Sequence, residues 1–306
     1  MKIIITGGTG FIGTALCNLI SREAHELVLF SRSIHPKKKL QQAVVRYVQW
    51  NAGEEGEWQN EIEGASVVIN LAGKNLFEHR WNKKIKKEIW NSRILATKKL
   101  VEAVQSARHK PELLISASAV GVYGNRGSEL LNEQSSTGND FLANLVAAWE
   151  KEAFNAEQAG VRVATPRIGL VLEKSGGIIE RMLLPFKLCA GGPIGSGEQI
   201  LSWIHMADVV RGIIFPIENK NFSGVYNLTA PNAVTMKEFS KIFGKILHRP
   251  SRLPVPKAAL KILFGEAAEA IVSSQHAVPE KLLHAGFSFS FPEITSALEN
   301  ILNPQS

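Results

Sequence analysis

The sequence predicts an α/β protein built on a Rossmann-type doubly wound parallel sheet, with a smaller, mostly helical C-terminal capping region. Three observations predict it. Short β-branched runs alternate with helical patterns through the first 168 positions, the rhythm of right-handed βαβ units. A glycine loop, "TGGTGFIG" (6–13), sits between the first run and the first helix. After residue 168 the alternation stops, and glycine-rich loops and proline-punctuated helices take over.

Each element follows in order. "KIIIT" (2–6) reads as a buried strand before a helix over about 11–22, and "ELVLFS" (26–31) as the second strand. "VVRYVQW" (44–50) and "ASVVINLA" (65–72) supply a third and a fourth. An amphipathic helix over 82–107 leads to "ELLISAS" (112–118), and a helix over about 140–159 leads to "VRVATPRI" (161–168). Beyond them, "EKSGGIIE" (173–180) and "AGGPIGSGEQ" (190–199) are glycine-rich loops around an apolar helical stretch. A short helix near 206–218 precedes "GVYNLT" (224–229), which can return to the main sheet. Helices near 235–247, 256–264 and 291–303 complete the chain, separated by prolines. The sheet domain is thus expected over 1–170 with a return at about 222–230. The capping region is expected over 171–221 and 231–306, covering the sheet's carboxyl edge, where ligands of open α/β sheets sit.

Composition narrows the function classes. With 306 residues, 45% hydrophobic and 21% charged, the chain has an ordinary globular balance and room for a substantial core. No stretch approaches the roughly 18–20 apolar residues that cross a bilayer. Met1-Lys2 runs straight into a strand, without a signal-peptide pattern. A cytoplasmic protein without a membrane partner is expected. Cys17 and Cys189 have no metal-ligand spacing, so no metal is expected. The net charge of +7 and the pI of about 9.4 raise nucleic acid as a partner. The densest basic stretch, "HRWNKKIKKEIWNSR" (79–93), carries Trp81, Ile85 and Ile89 at helical spacing, so its lysines form the wet face of a helix. No zinc-finger or RNA-binding signature accompanies them, and no nucleic-acid partner is expected.

Gly7, Gly10 and Gly13 follow the spacing G-x-x-G-x-x-G. The first glycine allows a tight turn, the second a close approach of backbone to a diphosphate, and the third close helix–strand packing. With Thr9, Phe11 and Ile12 they form a cradle whose helix aims unpaired N–H groups and its positive dipole end at phosphate. Near the end of the second strand an NAD-selective site places Asp or Glu against the ribose 2′-hydroxyl. Here stand Ser31 and Arg32, with no acid before Glu54. A guanidinium can hold a 2′-phosphate bidentately and a serine can donate to it, so NADP(H) is favoured over NAD(H). A solvated surface role for Arg32 stays open.

These features resemble the extended short-chain dehydrogenase/reductases, and more closely their atypical subgroup of epimerase family proteins. The resemblance spans essentially the whole chain. It is carried by "TGGTGFIG" (6–13), "SR" (31–32), "NLAG" (70–73), "RWN" (80–82), "SR" (92–93), "SASAVGVYG" (116–124), "LLPFKL" (183–188), "GGPIGSG" (191–197), "WIHMAD" (203–208) and "AGFSFSFPE" (285–293). It implies that Leu71, Ala72 and Gly73 lie beside the cofactor riboses. It implies the same neighbourhood for Glu88 and for Arg93, which stands where relatives of the extended class carry an asparagine. A helix-surface ion pair remains the other reading of Glu88 and Arg93.

The chain departs from the wider family in its chemistry. Short-chain dehydrogenases move a proton with a Tyr whose pKa is lowered by a Lys four residues on. The corresponding helix here reads "DFLANLVAAWEKEA" (140–153) and places Leu142 and Val146, or Phe141 and Leu145, at those positions. Ser118 is the expected surviving hydroxyl and catalytic candidate, although a gapless match through "VYG" (122–124) would put Ala119 there. Tyr123, Trp203 and His205 are the substrate-side candidates, with Asp208 beside them; a packing or loop-anchoring role is the other reading of His205, and a structural role that of Tyr123. The expected function is an NADP(H)-dependent oxidoreductase or epimerase-like enzyme on a small carbonyl or sugar-like substrate. The alternative is a non-catalytic NADP(H)-binding regulator or redox sensor, as the putative cell-division inhibitors of the subgroup imply. A monomer and a homodimer are both open.

Overall fold

The computed structural model describes residues 1–21, 25–33 and 45–303. Its centre is a parallel sheet of β1 (Lys2–Thr6), β2 (Glu26–Ser31), β3 (Val45–Gln49), β4 (Val67–Asn70), β5 (Leu113–Ser116), β6 (Arg162–Ile168) and β7 (Gly224–Leu228). The strand order is β7-β6-β5-β4-β1-β2-β3, and the short segment Ser118–Ala119 adds itself beside β6. The winding direction reverses between β1 and β4, the crevice where such sheets bind ligands.

Why these runs pair so is visible in their burial. Along β1, β2 and β4, Ile3, Ile5, Leu27, Leu29, Val67 and Ile69 enter one core, while Ile4, Val28, Phe30 and Val68 enter another. Both faces are covered, which explains apolar runs without polar alternation. Helix α1 (Phe11–Ile20) packs on the first face; α2 (Lys83–Ser106) and α3 (Phe141–Phe154) cover the second. Asn82 caps α2 by accepting from Ile85 N (2.9 Å), and Asp140 caps α3 by accepting from Ala143 N (2.9 Å).

The capping region contributes α4 (Gly177–Lys187) and the C-terminal helices Met236–Ile246, Lys257–Phe264 and Ile294–Leu302. Its core gathers Phe186, Trp203, Phe239, Phe243 and Leu298. α5 (Met206–Glu218) instead packs under the sheet through Val209 and Ile213.

Three features differ from the sequence reading. The helix expected over 140–159 ends at Phe154 and continues as a 3₁₀ turn, Asn155–Ala159. The strand expected over 112–118 is interrupted at Ala117. The region after 168 also holds short strands: Leu170–Glu173 pairs with Trp203–His205, and Ile200–Leu201 with Val234–Thr235. Pairs this short lack the repeated alternation that makes a strand readable.

Candidate functional site

The cradle sits at the carboxyl end of β1. Gly7 adopts φ +69°, and a Cβ there would fall 2.7 Å from Leu71 O. A Cβ on Gly13 would fall 2.2 Å from Gly7 O, so only glycine lets α1 start this close to the loop. Gly10 N donates to Gly7 O (2.9 Å), and among the described residues no side chain caps α1. The first N–H groups of α1 therefore lack an internal partner. Thr9, Gly10 and Phe11 are exposed, Ile12 is half-buried and Gly13 is buried. A diphosphate fits this arrangement: glycine at the points of closest backbone approach and an uncapped helix end facing it. The Phe11 ring lies under a turn of the capping region, since a Cβ on Gly176 would fall 2.7 Å from it.

At the end of β2, Ser31 is half-buried and its Oγ accepts from Ser33 N (3.3 Å). Arg32 is exposed beside it. On the other side of β1, Asn70 ties together four elements. Its Oδ1 accepts from Thr6 Oγ1 (2.7 Å), and its Nδ2 donates to Thr97 Oγ1 (2.8 Å) on α2 and to Ser116 Oγ (3.1 Å) on β5. Trp149 of α3 donates its indole N–H to the same Thr97 hydroxyl (2.8 Å). This buried network fixes the strand ends at the crevice. The sequence reading missed it, because its members lie far apart along the chain.

Leu71, Ala72 and Gly73 follow directly. Ala72 N donates to Thr6 Oγ1 (3.2 Å), and a Cβ on Gly73 would sit 2.9 Å from Arg93 Cζ. Gly73 and Arg93 therefore meet face to face. The Arg93 guanidinium donates to Lys74 O (3.1 Å) and lies 5.3 Å over the Trp149 ring. Arg93 has no carboxylate partner among the described residues, and burial pulls its pKa down to about 10. Glu88 pairs instead with Lys74 (2.5 Å), whose hydrogen bond holds the Glu88 carboxyl below its ordinary range. The ion pair open in the sequence reading thus exists for Glu88 and not for Arg93.

Ser118 is buried, and its Oγ donates to Glu150 Oε1 (2.5 Å). Arg167 Nε and Nη2 grip the two Glu150 oxygens at 2.8 and 2.9 Å. Burial opposes the Arg167 charge, but the hydrogen bonds and charge of Glu150 hold the guanidinium above its usual value. Arg167 Nη1 also donates to Tyr123 OH (3.0 Å), which donates in turn to Asn227 Oδ1 (2.7 Å). Burial pushes the Tyr123 phenol upward. The hydroxyl expected to face substrate is thus committed to a buried charge pair. Val146, one helical turn before Glu150, is buried, and Leu142, two turns before it, is packed near Gly121; in the other register expected for the Tyr and Lys positions, Leu145 is buried and Phe141 packs beside it.

Trp203 is fully buried and donates its indole N–H to Asn232 O (2.8 Å). His205 is buried at the start of α5, where its Nδ1 accepts from Ala207 N (3.1 Å) and its ring lies 4.0 Å from that of Phe291. Asp208 accepts from Ser290 N (2.8 Å) and Phe291 N (2.9 Å). Tyr123, Trp203 and His205 therefore sit in the interior, where they anchor strands and loops rather than line an open substrate surface.

A model described as the NAD dependent epimerase/dehydratase family matches residues 3–229, and one described as a domain of unknown function matches residues 255–301. Epimerase family protein YfhF of Bacillus subtilis is 40% identical over 303 residues, covering 99% of this chain and 98% of the relative. The chloroplastic epimerase family protein SDR39U1 homolog of Arabidopsis thaliana is 40% identical over 310 residues, 99% of this chain and 87% of its own. Among solved structures, human epimerase family protein SDR39U1 with NADPH superposes with a TM-score of 0.88 at 33% identity, covering 100% of both chains.

Proposed function

The chain belongs to the NAD dependent epimerase/dehydratase family, and from that premise we infer that it binds NADP(H) and acts as an oxidoreductase or epimerase-like enzyme. Its substrate in this reading is a small carbonyl or sugar-like compound. The observation that carries the cofactor choice is the end of β2, where Ser31 and an exposed Arg32 stand in place of an acid. Human SDR39U1, similar over its whole length, was solved with NADPH, which supports the same choice.

Gly7, Thr9, Gly10, Phe11, Ile12 and Gly13 would hold the diphosphate on backbone N–H groups. Ser31 and Arg32 would take the 2′-phosphate, and Leu71, Ala72, Gly73 and Arg93 would lie beside the cofactor riboses, with Glu88, paired to Lys74, in the same neighbourhood. When bound, the cofactor supplies hydride chemistry. The chain's own part is to orient it and to keep Leu142 and Val146 as a dry, aprotic wall. With Ser118 committed to Glu150, the proton that accompanies hydride comes from water or from the substrate. We place the protein in the cytoplasm as a monomer or homodimer.

One observation favours a second reading, a non-catalytic NADP(H)-binding regulator or redox sensor. In either register, Leu142 and Val146 or Phe141 and Leu145, the residues matched to the Tyr and Lys of short-chain dehydrogenases are hydrocarbon, and losing a positioned acid typically costs about 10²–10⁴-fold in rate. NADPH oxidation over a panel of aldehydes, ketones and nucleotide sugars decides between the two. Saturable turnover on any of them supports the enzyme. Tight NADPH binding without turnover, with a recoverable protein partner, supports the regulator.

A further inference from the structure

Half of the exposed large apolar side chains among the described residues lie in one corner of the capping region. They are Leu184, Leu188, Leu253, Ile262 and Leu263, each 55–73% exposed. Helix α4 buries Ile179, Met182 and Phe186 and turns Arg181, Leu184 and Leu188 outward along one stripe. That stripe borders the helix Lys257–Phe264, because the Arg181 guanidinium lies 5.6 Å over the Phe264 ring. Past the other end of α4, Leu253 N donates to Gly191 O (3.1 Å), and bridges join Gly191 to Ser251 and Ile194 to Val255. The segment from Leu253 to Phe264 is thus tied to α4 at two points, by Arg181 over the Phe264 ring and by the pairing of Leu253 with Gly191 just past the end of α4.

The rim of this corner is cationic, with Arg181, Lys187, Arg252, Lys257 and Lys261 all exposed. The acids in the same segments are few: Glu269 pairs with Lys257 and Glu266 with Lys86, while Glu180 stands exposed on α4. Charge selects the occupant. A second copy docked isologously would set this positive rim against itself. A partner helix needs a groove, yet these side chains stand out from helix surfaces.

We propose that this corner docks on an anionic lipid bilayer, its aliphatic side chains in the headgroup–acyl boundary and its cations on the lipid phosphates. Such docking departs from the sequence expectation of no membrane partner: lying on a membrane requires no spanning helix, and none of the described helices is long and apolar enough to span one. The contact is independent of NADP(H), so its failure and that of the cofactor reading are separate results.

The test is sedimentation of the full chain with vesicles of phosphatidylcholine, with and without phosphatidylglycerol. Binding to the anionic vesicles is expected, reduced by added salt and weak on phosphatidylcholine alone. A Leu188→Glu/Ile262→Glu variant should lower partitioning by about tenfold or more, with an unchanged melting temperature, and Lys187→Glu/Lys261→Glu should also lower it. Three results overturn the proposal. One is no vesicle binding. Another is binding that the Leu188→Glu/Ile262→Glu variant leaves intact, which would be attraction by overall charge. The third is a concentration-dependent dimer that the same variant dissolves.

Discussion

The Ser118 hydroxyl donates a hydrogen bond to Glu150 at 2.5 Å, and the same carboxylate accepts from the Arg167 guanidinium on both oxygens. The serine that the family resemblance singles out for chemistry is therefore one partner in a buried ionic cluster. Ser118→Ala removes one charge-assisted hydrogen bond and should cost about 1–3 kcal/mol in urea unfolding, with NADPH affinity unchanged. A strong loss of turnover at full stability would instead return Ser118 to the reaction.

Glu150→Ala should be far worse, because it strands the Arg167 charge in the interior. Breaking a buried pair from one side costs about 3–5 kcal/mol, a large share of the roughly 5–15 kcal/mol that holds an ordinary domain folded. The double variant Glu150→Leu/Arg167→Met should recover much of that loss, as measured by urea midpoints. A single variant as stable as the parent would contradict the pairing.

The cradle makes a sharp steric forecast. Gly13→Ala places a methyl 2.2 Å from Gly7 O, a backbone atom that cannot swing aside. It should abolish NADPH binding and lower the melting temperature. Gly121→Ala is the contrast, because its Cβ would meet Leu142 at an ordinary 3.7 Å. Differential scanning fluorimetry with and without NADPH separates the two.

His205 supplies the pH dependence. Burial lowers its pKa below the usual histidine value of 6.5, so the unfolded chain binds the proton more readily than the folded one. The contribution is fully present above pH 6.5 and is lost as pH falls from there toward the lower, folded-state value. His205→Asn keeps an acceptor for Ala207 N, since asparagine is a good N-cap. Melting temperatures between pH 5 and 7.5 should fall less steeply for that variant than for the parent. Equal slopes would remove His205 as the cause.

Much of the sheet was legible because its strands are apolar on both faces and its helices carry a 3.6-residue stripe. "KIIIT" and "ELVLFS" coincide with β1 and β2, and the return of "GVYNLT" to the sheet is seen in β7 beside β6. The glycine loop was legible because steric demand leaves a mark in residue type, as at Gly7 and Gly13. The polar networks were not. Asn70, Thr97, Ser116 and Trp149 meet only once the fold brings β4, α2, β5 and α3 together. Glu150 and Arg167 could have been suspected, since each is a charge among apolar neighbours on a helix or strand that the pattern buries. For Tyr123 and His205 the sequence left a substrate-side and a packing role both open, because residue type alone does not show burial; the fold puts both in the interior.

The central claim is that Arg32 neutralises the 2′-phosphate of NADP(H), and calorimetry tests it most directly. Arg32→Ala should weaken NADPH by about tenfold or more, the scale of losing a charge-assisted contact, and leave NADH nearly unchanged. Equal losses for the two nucleotides, or no saturable binding of either to the parent protein, would contradict it.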